Sequence, residues 1–280
     1  MEIIVGIGGV GCNVAMLFEQ YGQYRVLKID HSRSDIKLDL DLGLKSHPEE
    51  YESKIPDTKK LLTGLSGRAL FVRSGASLVS GASLRIMERF HQKGIDISVL
   101  YIKPETEILS KVKALQERVV FNVLQQYARS GVLKMMYLVS NRELDPLIED
   151  ASILNYHNNI NKLIVSNFHM INVYSHIPPV ASTFSKPHET LRICTLGILN
   201  VETGEEKEFF PLDEPREKRY YYAIVKKRLS TEKELHRKIM NQVKEKVGED
   251  LGFSYGIYST DYEYDFLYDL SFSQKIQENA

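Results

Sequence analysis

Residues 6–11 of this chain, Gly-Ile-Gly-Gly-Val-Gly, hold four glycines directly after the apolar run Ile3-Ile4-Val5. The run reads as a buried parallel strand. An amphipathic segment follows, with Val14, Leu17 and Phe18 on one face. Strand, glycine turn and helix together place backbone N–H groups and a helix N-terminus against a phosphate. A side chain in the turn would hold the phosphate away from those amides. The spacing Gly6-x-Gly8-x-x-Gly11 also fits the dinucleotide fingerprint. Asp30 ends the next apolar run, Arg25–Asp30, where such a fold places the acid for the adenine ribose. The glycines alone leave both readings open.

The 280 residues suffice for one large or two modest domains. Apolar content of 43% and charged content of 26% are ordinary for a globular protein. A net charge of −1 implies no broad attraction to nucleic acid, so there is no direct nucleic-acid signal. Cys12 and Cys194 lie far apart and suggest neither a disulfide framework nor a metal cluster. No apolar run approaches the ~20 residues of a membrane span. No signal peptide is recognisable, and a cytoplasmic setting is expected.

Apolar runs near 2–7, 25–30, 69–73, 96–102 and 133–139 alternate with helical patterns near 11–21, 48–63, 80–93 and 105–129. This rhythm predicts an α/β fold with a mostly parallel sheet. In the last helix, Ile108, Val112, Leu115 and Val119 follow helical spacing. The stretch 35–45 reads as either a small hairpin strand or an exposed loop. A long helix is expected from about Leu154 to His176, ended by Pro178-Pro179. Beyond it, 191–201 reads as a strand, 207–212 as a strand pairing back, 213–219 as a charged linker and 220–225 as a strand. A helix is expected from an N-cap at Ser230, with Leu235, Ile239, Val243 and Val247 as its stripe. Two strands, 253–259 and 264–273, close the domain, and 258–269 reads as a half-exposed hairpin.

Val5-Gly-Ile-Gly-Gly-Val-Gly-Cys-Asn13 resembles the first loop of the tubulin/FtsZ superfamily, closest to the bacterial FtsZ form. Further matches follow in order. Residues 69–82 resemble the strand and glycine-rich signature loop, usually GGGTGTG. Residues 99–104 resemble the strand ending in a basic residue and proline. Residues 136–144 resemble the strand ending in Pro-Asn-Asp, and the segment from about Tyr220 resembles the second domain. The resemblance implies a GTPase-like nucleotide domain over 1–177, with a long central helix, and a smaller α/β domain over 178–280.

It also implies a site. Gly8, Gly9, Val10 and Gly11 match the phosphate-binding first loop, with Cys12 and Asn13 beside them. Gly75, Ser80, Gly81 and Ala82 match the signature loop, whereas Ala76, Ser77, Leu78 and Val79 depart from it. Asn141 matches the family asparagine, although Ser140 and Arg142 replace its neighbours. Tyr156 is placed to stack on the base, and Asn158 or Asn159 to pair with its edge. Lys103 and Glu107 lie near a basic residue and a ribose-contacting acid of the family, Glu107 one position early. In the family a loop after the central helix carries acids that orient water against a neighbour's γ-phosphate. Here that loop, 178–188, has no Asp or Glu, and Glu189 is the nearby catalytic candidate.

The expected function is thus GTP or GDP binding, with Mg as a further cofactor, coupled to head-to-tail self-association into cytoskeletal filaments. Hydrolysis is expected to be weak or absent: a degenerate GTPase at most. The chain ends soon after the last strand, and so compact a form is compatible with a phage or mobile-element origin. Two alternatives stand: a nucleotide-free structural or adaptor protein, and a Rossmann-type dinucleotide-dependent enzyme.

Overall fold

The computed structural model describes residues 2–31, 33–148, 152–185, 188–248 and 251–277. The chain divides into two compact units, Met1–Val165 and Ser166–Ala280.

The first unit carries a six-stranded parallel sheet. Its strands are β1 (Glu2–Ile7), β2 (Tyr24–Asp30), β3 (Leu40–Asp41), β4 (Arg68–Ser74), β5 (Asp96–Lys103) and β6 (Met135–Ser140). Their order is β3-β2-β1-β4-β5-β6. Ile3 through Ile7 are buried without a break, as are Ala69 through Arg73. Unbroken burial, rather than alternation, means both faces of these strands are covered. The covering helices are α1 (Gly8–Leu17), α2 (Pro48–Ser53), α3 (Lys59–Leu62), α4 (Ser80–Gln92) and α5 (Lys111–Ser130). The stretch 35–45 holds the two-residue β3, which is not a hairpin strand, because it pairs in parallel with the end of β2.

Helix α5 begins at the Ser110 N-cap and ends at Gly131, whose φ of 85° is left-handed. Its buried face is Glu117, Val120, Phe121, Leu124, Gln125 and Ala128. The stripe Ile108, Val112, Leu115 and Val119 faces solvent instead. Phe121 tilts against Tyr101 with ring centroids 5.2 Å apart, and this contact fixes which side of the helix turns inward.

Beyond β6 come α6 (Asn141–Leu144) and α7 (Tyr156–Tyr174), whose residues from Ser166 belong to the second unit. That unit contains β7 (Ala181–Ser182), β8 (Ile193–Leu199), β9 (Glu206–Glu208), β10 (Glu217–Val225), α8 (Lys226–Thr231), α9 (Leu235–Lys246), β11 (Gly252–Thr260) and β12 (Phe266–Ser273). The strand order is β8-β12-β10-β11-β7, with β9 paired to β8. Strand β10 runs parallel to β11 and antiparallel to β12. Leu235, Ile239 and Val243 of α9 bury against Tyr220, Tyr222, Ile224, Tyr255 and Ile257.

Three local expectations are corrected. Residues 258–269 are not a hairpin, because β10 lies between β11 and β12. Ser230 is not the cap of α9: it lies inside α8, where its Oγ donates to Lys227 O at 2.8 Å, and Glu234 precedes α9. Val247, at the C-terminal end of α9, is 54% exposed.

Candidate functional site

Strand β1 has β2 on one side and β4 on the other, and its connection leads away through α1. Successive strands are added on one side of β1 up to β3 and on the other side from β4 onward, and α/β sheets form their ligand crevice at the carboxyl ends of the strands at such a switch. Helix α1 starts at Gly8 with Ile7 as N-cap, and α4 starts at Ser80 with Val79 as N-cap. Neither N-terminus has a side-chain cap, and neither has an acid in its first turn. Each therefore leaves N–H donors and the positive end of its dipole without a side-chain partner.

The two loops touch. Gly8 has φ of +73°, and a Cβ built there would lie 2.9 Å from both Ser77 Oγ and Val79 Cγ2. Gln116 Nε2 holds this loop by donating to Ser77 O at 2.7 Å. Gly9 is open, with only the Arg33 guanidinium within 4 Å of a built Cβ. Arg33 donates to Gly9 O at 3.4 Å and to Asn13 Oδ1 at 3.0 Å. Val10 is 45% exposed and Asn13 is exposed. Gly11 lies against Val72 O, which holds α1 close to β4. The Cys12 side chain turns inward, its thiol directed at Gly6 O and Ile29 O, and burial pushes its pKa up to about 12.

In the signature loop, the space beside Gly75 is taken by the Tyr101 hydroxyl, and Gly81 lies against Pro48 O of α2. The Ser80 hydroxyl is buried and donates to Gly75 O at 3.0 Å. Below the loop, Arg73 is fully buried and donates to Ser83 Oγ. Burial holds its pKa down to about 10. Tyr101 donates to the buried Glu117 at 2.9 Å. The Lys103 ammonium lies 4.5 Å from the Phe121 ring centre, and burial lowers its pKa.

On the side expected to take a base, Asn141 opens α6 directly after β6. Tyr156 donates to Asp145 Oδ1 at 2.6 Å, which lifts its pKa to about 12 and ties the start of α7 to the turn after α6. Asn158 is exposed and Asn159 half-buried, one turn into α7. Glu107 pairs with Arg142 at 3.0 Å on the surface. Asp30 is not open to a ribose: its carboxylate accepts from His31 N and pairs with His31 and Arg33.

Comparison of the whole structure decides between folds that share this glycine motif. The GTPγS-form protofilament of TubZ from Bacillus thuringiensis serovar israelensis superposes with a TM-score of 0.69 at 14% identity, covering 97% of this chain and 86% of that one. The empty FtsZ dimer of M. jannaschii gives 0.66 at 12% identity, covering 97% and 87%. The GTPγS-bound protofilament of CetZ2 from Haloferax volcanii gives 0.66 at 13%, covering 97% and 92%.

The chain has a tubulin/FtsZ-like fold.

No protein-family model and no curated protein matches the sequence itself. Within this tubulin/FtsZ-like fold, the loop after α7 is partly ordered by pairing. Ala181 and Ser182 form β7 against Ile257 and Gly256, and Thr183 Oγ1 accepts from Tyr255 N at 3.0 Å. Lys186 and Pro187 of that loop lie outside the described residues. Glu189 is exposed, and its carbonyl accepts from Arg192 Nε at 2.7 Å. Among the described residues, no helix is long and apolar enough to cross a membrane.

Sequence reasoning missed Arg33, Tyr101 and Glu117 as parts of this region. It also missed Arg73, for which one signal existed: a charge directly after the apolar run Ala69–Val72, within the same strand.

Proposed function

We propose that this chain binds a guanine nucleotide and self-associates head-to-tail into filaments, with weak or no GTP hydrolysis. The observation that carries the reading is the pair of uncapped, acid-free helix N-termini of α1 and α4 at the switch point of the sheet. The likeness to GTPγS-form protofilaments supports it. In this reading the amides of Gly9, Val10, Gly11 and Gly81 take the phosphates, while the Ser80 amide donates to Ser77 O at 3.0 Å and shapes the loop. Gly8 and Gly75 shape the two loops, Cys12 packs beneath, and Asn13 with Arg33 forms the rim. Asn141, Tyr156, Asn158 and Asn159 take the base. The nucleotide supplies the negative charge that these donors lack, and Mg²⁺ would be held mainly by phosphates and water, since neither helix start offers a carboxylate. Glu189 would offer the carboxylate for water. The functional division is 1–177 for the nucleotide domain and 178–280 for the second, in a cytoplasmic setting.

A nucleotide-free structural protein is the second reading. Ser77 and Val79 against Gly8, and the Ser80 hydroxyl spent on Gly75, favour it. Calorimetry with GTP, GDP, ATP and NAD separates the two. GTP or GDP binding in preference to the others is expected. Equal binding of all four, or none, removes the guanine reading, and preferred NAD binding would install the dinucleotide enzyme instead.

A further inference from the structure

Ile108, Val112, Leu115 and Val119 are 78%, 76%, 57% and 54% exposed. Val112, Leu115 and Val119, three and four residues apart, form one row along α5, and Ile108 is exposed in the turn before it. The helix does not need this row for its own stability, because Val120, Phe121, Leu124 and Ala128 bury its opposite side. A single exposed leucine requires no explanation, but a continuous apolar row marks a surface that is covered in use. Lys111 and Arg118 border the row and are exposed, while Glu117 points inward.

A second surface has the complementary chemistry. The turn between β11 and β12 reads Asp261-Tyr-Glu-Tyr-Asp-Phe266, with no basic residue. Tyr262, Tyr264 and Phe266 are 50%, 71% and 41% exposed, and Asp261 and Glu263 are exposed beside them. The turn is held from behind. Asp265 accepts from Val225 N at 2.7 Å and pairs with the Arg228 guanidinium. Tyr262 meets Phe266 edge-on, with ring centroids 5.7 Å apart. Aromatic side chains on a fixed turn lose little freedom on docking.

We propose that the outward row of α5 is a docking surface for the Asp261–Phe266 turn of a second copy of this chain. Tyr262 and Tyr264 cover the apolar row, while Lys111 and Arg118 meet Asp261 and Glu263 to set the register. In this proposal the contact is heterologous, the class that builds an open chain of copies when its rotation does not close. The proposal rests on the self-association reading and assigns it a contact. An anionic membrane is the competing occupant of a basic amphipathic face. The acidic aromatic turn favours the second copy.

The experiment is sedimentation velocity of the full chain with and without GTP. It compares wild type, Val112→Glu/Leu115→Glu, Tyr262→Ser/Tyr264→Ser, and an equimolar mixture of the two variants. All four positions are exposed, so circular dichroism and thermal unfolding should match wild type. Each variant alone should weaken association about 30-fold or more. The mixture should form a one-to-one heterodimer that does not grow, because each variant keeps one intact patch. Wild type that associates while both variants associate equally well overturns this contact and leaves the self-association reading standing. Variants that are both monomeric but fail to pair in the mixture overturn the complementarity. Wild type that stays monomeric under all conditions overturns both readings. Co-sedimentation with phosphatidylserine vesicles, lost in Val112→Glu/Leu115→Glu but kept in Tyr262→Ser/Tyr264→Ser, would show the membrane as occupant and overturn the proposal.

Discussion

A methyl group added at Gly8 would stand 2.9 Å from Ser77 Oγ and Val79 Cγ2, on a backbone with φ of +73°. At Gly9 the nearest atom, Arg33 Nη1, is 3.8 Å away. Adjacent glycines therefore answer different questions. Gly8→Ala is expected to destabilise the fold by about 1–3 kcal/mol in urea unfolding. Gly9→Val is expected to stay within about 0.5 kcal/mol of wild type while losing nucleotide binding, because its side chain occupies the approach to the helix start. A Gly9→Val protein that binds GTP as wild type does would remove the phosphate site from this loop.

Asp269 poses a residue-scale question in the second unit. It is fully buried, and burial first, then the charges of Glu206 and Glu208, raise its pKa well above the ordinary 3.8. A carboxyl whose folded pKa exceeds its unfolded value contributes fully below the unfolded pKa and loses that contribution as pH rises through the folded one. Asp269→Asn keeps a hydrogen-bond donor beside Glu206 without titrating. It is expected to raise the melting temperature by roughly 2 °C or more at pH 8 and by nothing at pH 3. A gain of equal size at both pH values would show that protonation is not the cause.

At the scale of elements, Arg73 on β4 and Ser83 on α4 form a unit. Arg73 is buried, its Nη1 meets Ser83 Oγ, and its Nε has no hydrogen-bond partner. Removing one partner of a buried charge costs more than removing both. Ser83→Ala is expected to cost about 1–3 kcal/mol, and Arg73→Met/Ser83→Ala to recover most of that loss in urea unfolding. Additive losses would argue that the two side chains are independent. The apolar run before Arg73 was a local sign of its burial, but nothing local announced Ser83 as its partner, since that contact depends on how α4 covers β4. The strands of the first unit were legible, because parallel strands read as unbroken apolar runs. The face of α5 was not, because apolar residues lie on both of its sides and long-range contacts decide between them: Phe121 and Glu117 against Tyr101, and Gln116 on Ser77 O. The supposed hairpin at 258–269 failed for a similar reason. Turn composition is local, whereas the insertion of β10 is a pairing over about forty residues. In the site, the glycine loop was legible from spacing, but the Arg33 bridge comes from a loop whose path no pattern specifies.

At the scale of the whole molecule, the described part of the loop between α7 and Glu189 offers no carboxylate before Glu189 itself. GTP turnover is expected to be slow or undetectable even at concentrations where subunits associate. Any residual phosphate release should vanish in Glu189→Ala while nucleotide binding persists. Brisk, concentration-dependent release that survives Glu189→Ala would place the water-orienting acid elsewhere.

The strand order of the second unit also has a consequence during synthesis. Before β12 leaves the ribosome, β8 has only β9 beside it among the strands of its unit, and β10 is joined to β11, itself bordered by the two residues of β7. These are small ribbons, too few in strands to be stable alone. Both β8 and β10 wait with a bare edge for the same late strand, at residues 266–273. The parallel sheet of the first unit, complete by residue 140, has no such wait. A chain whose β11 has emerged while β12 has not yet done so therefore exposes two unpaired edges at once, and that interval is when this protein is most in need of a chaperone.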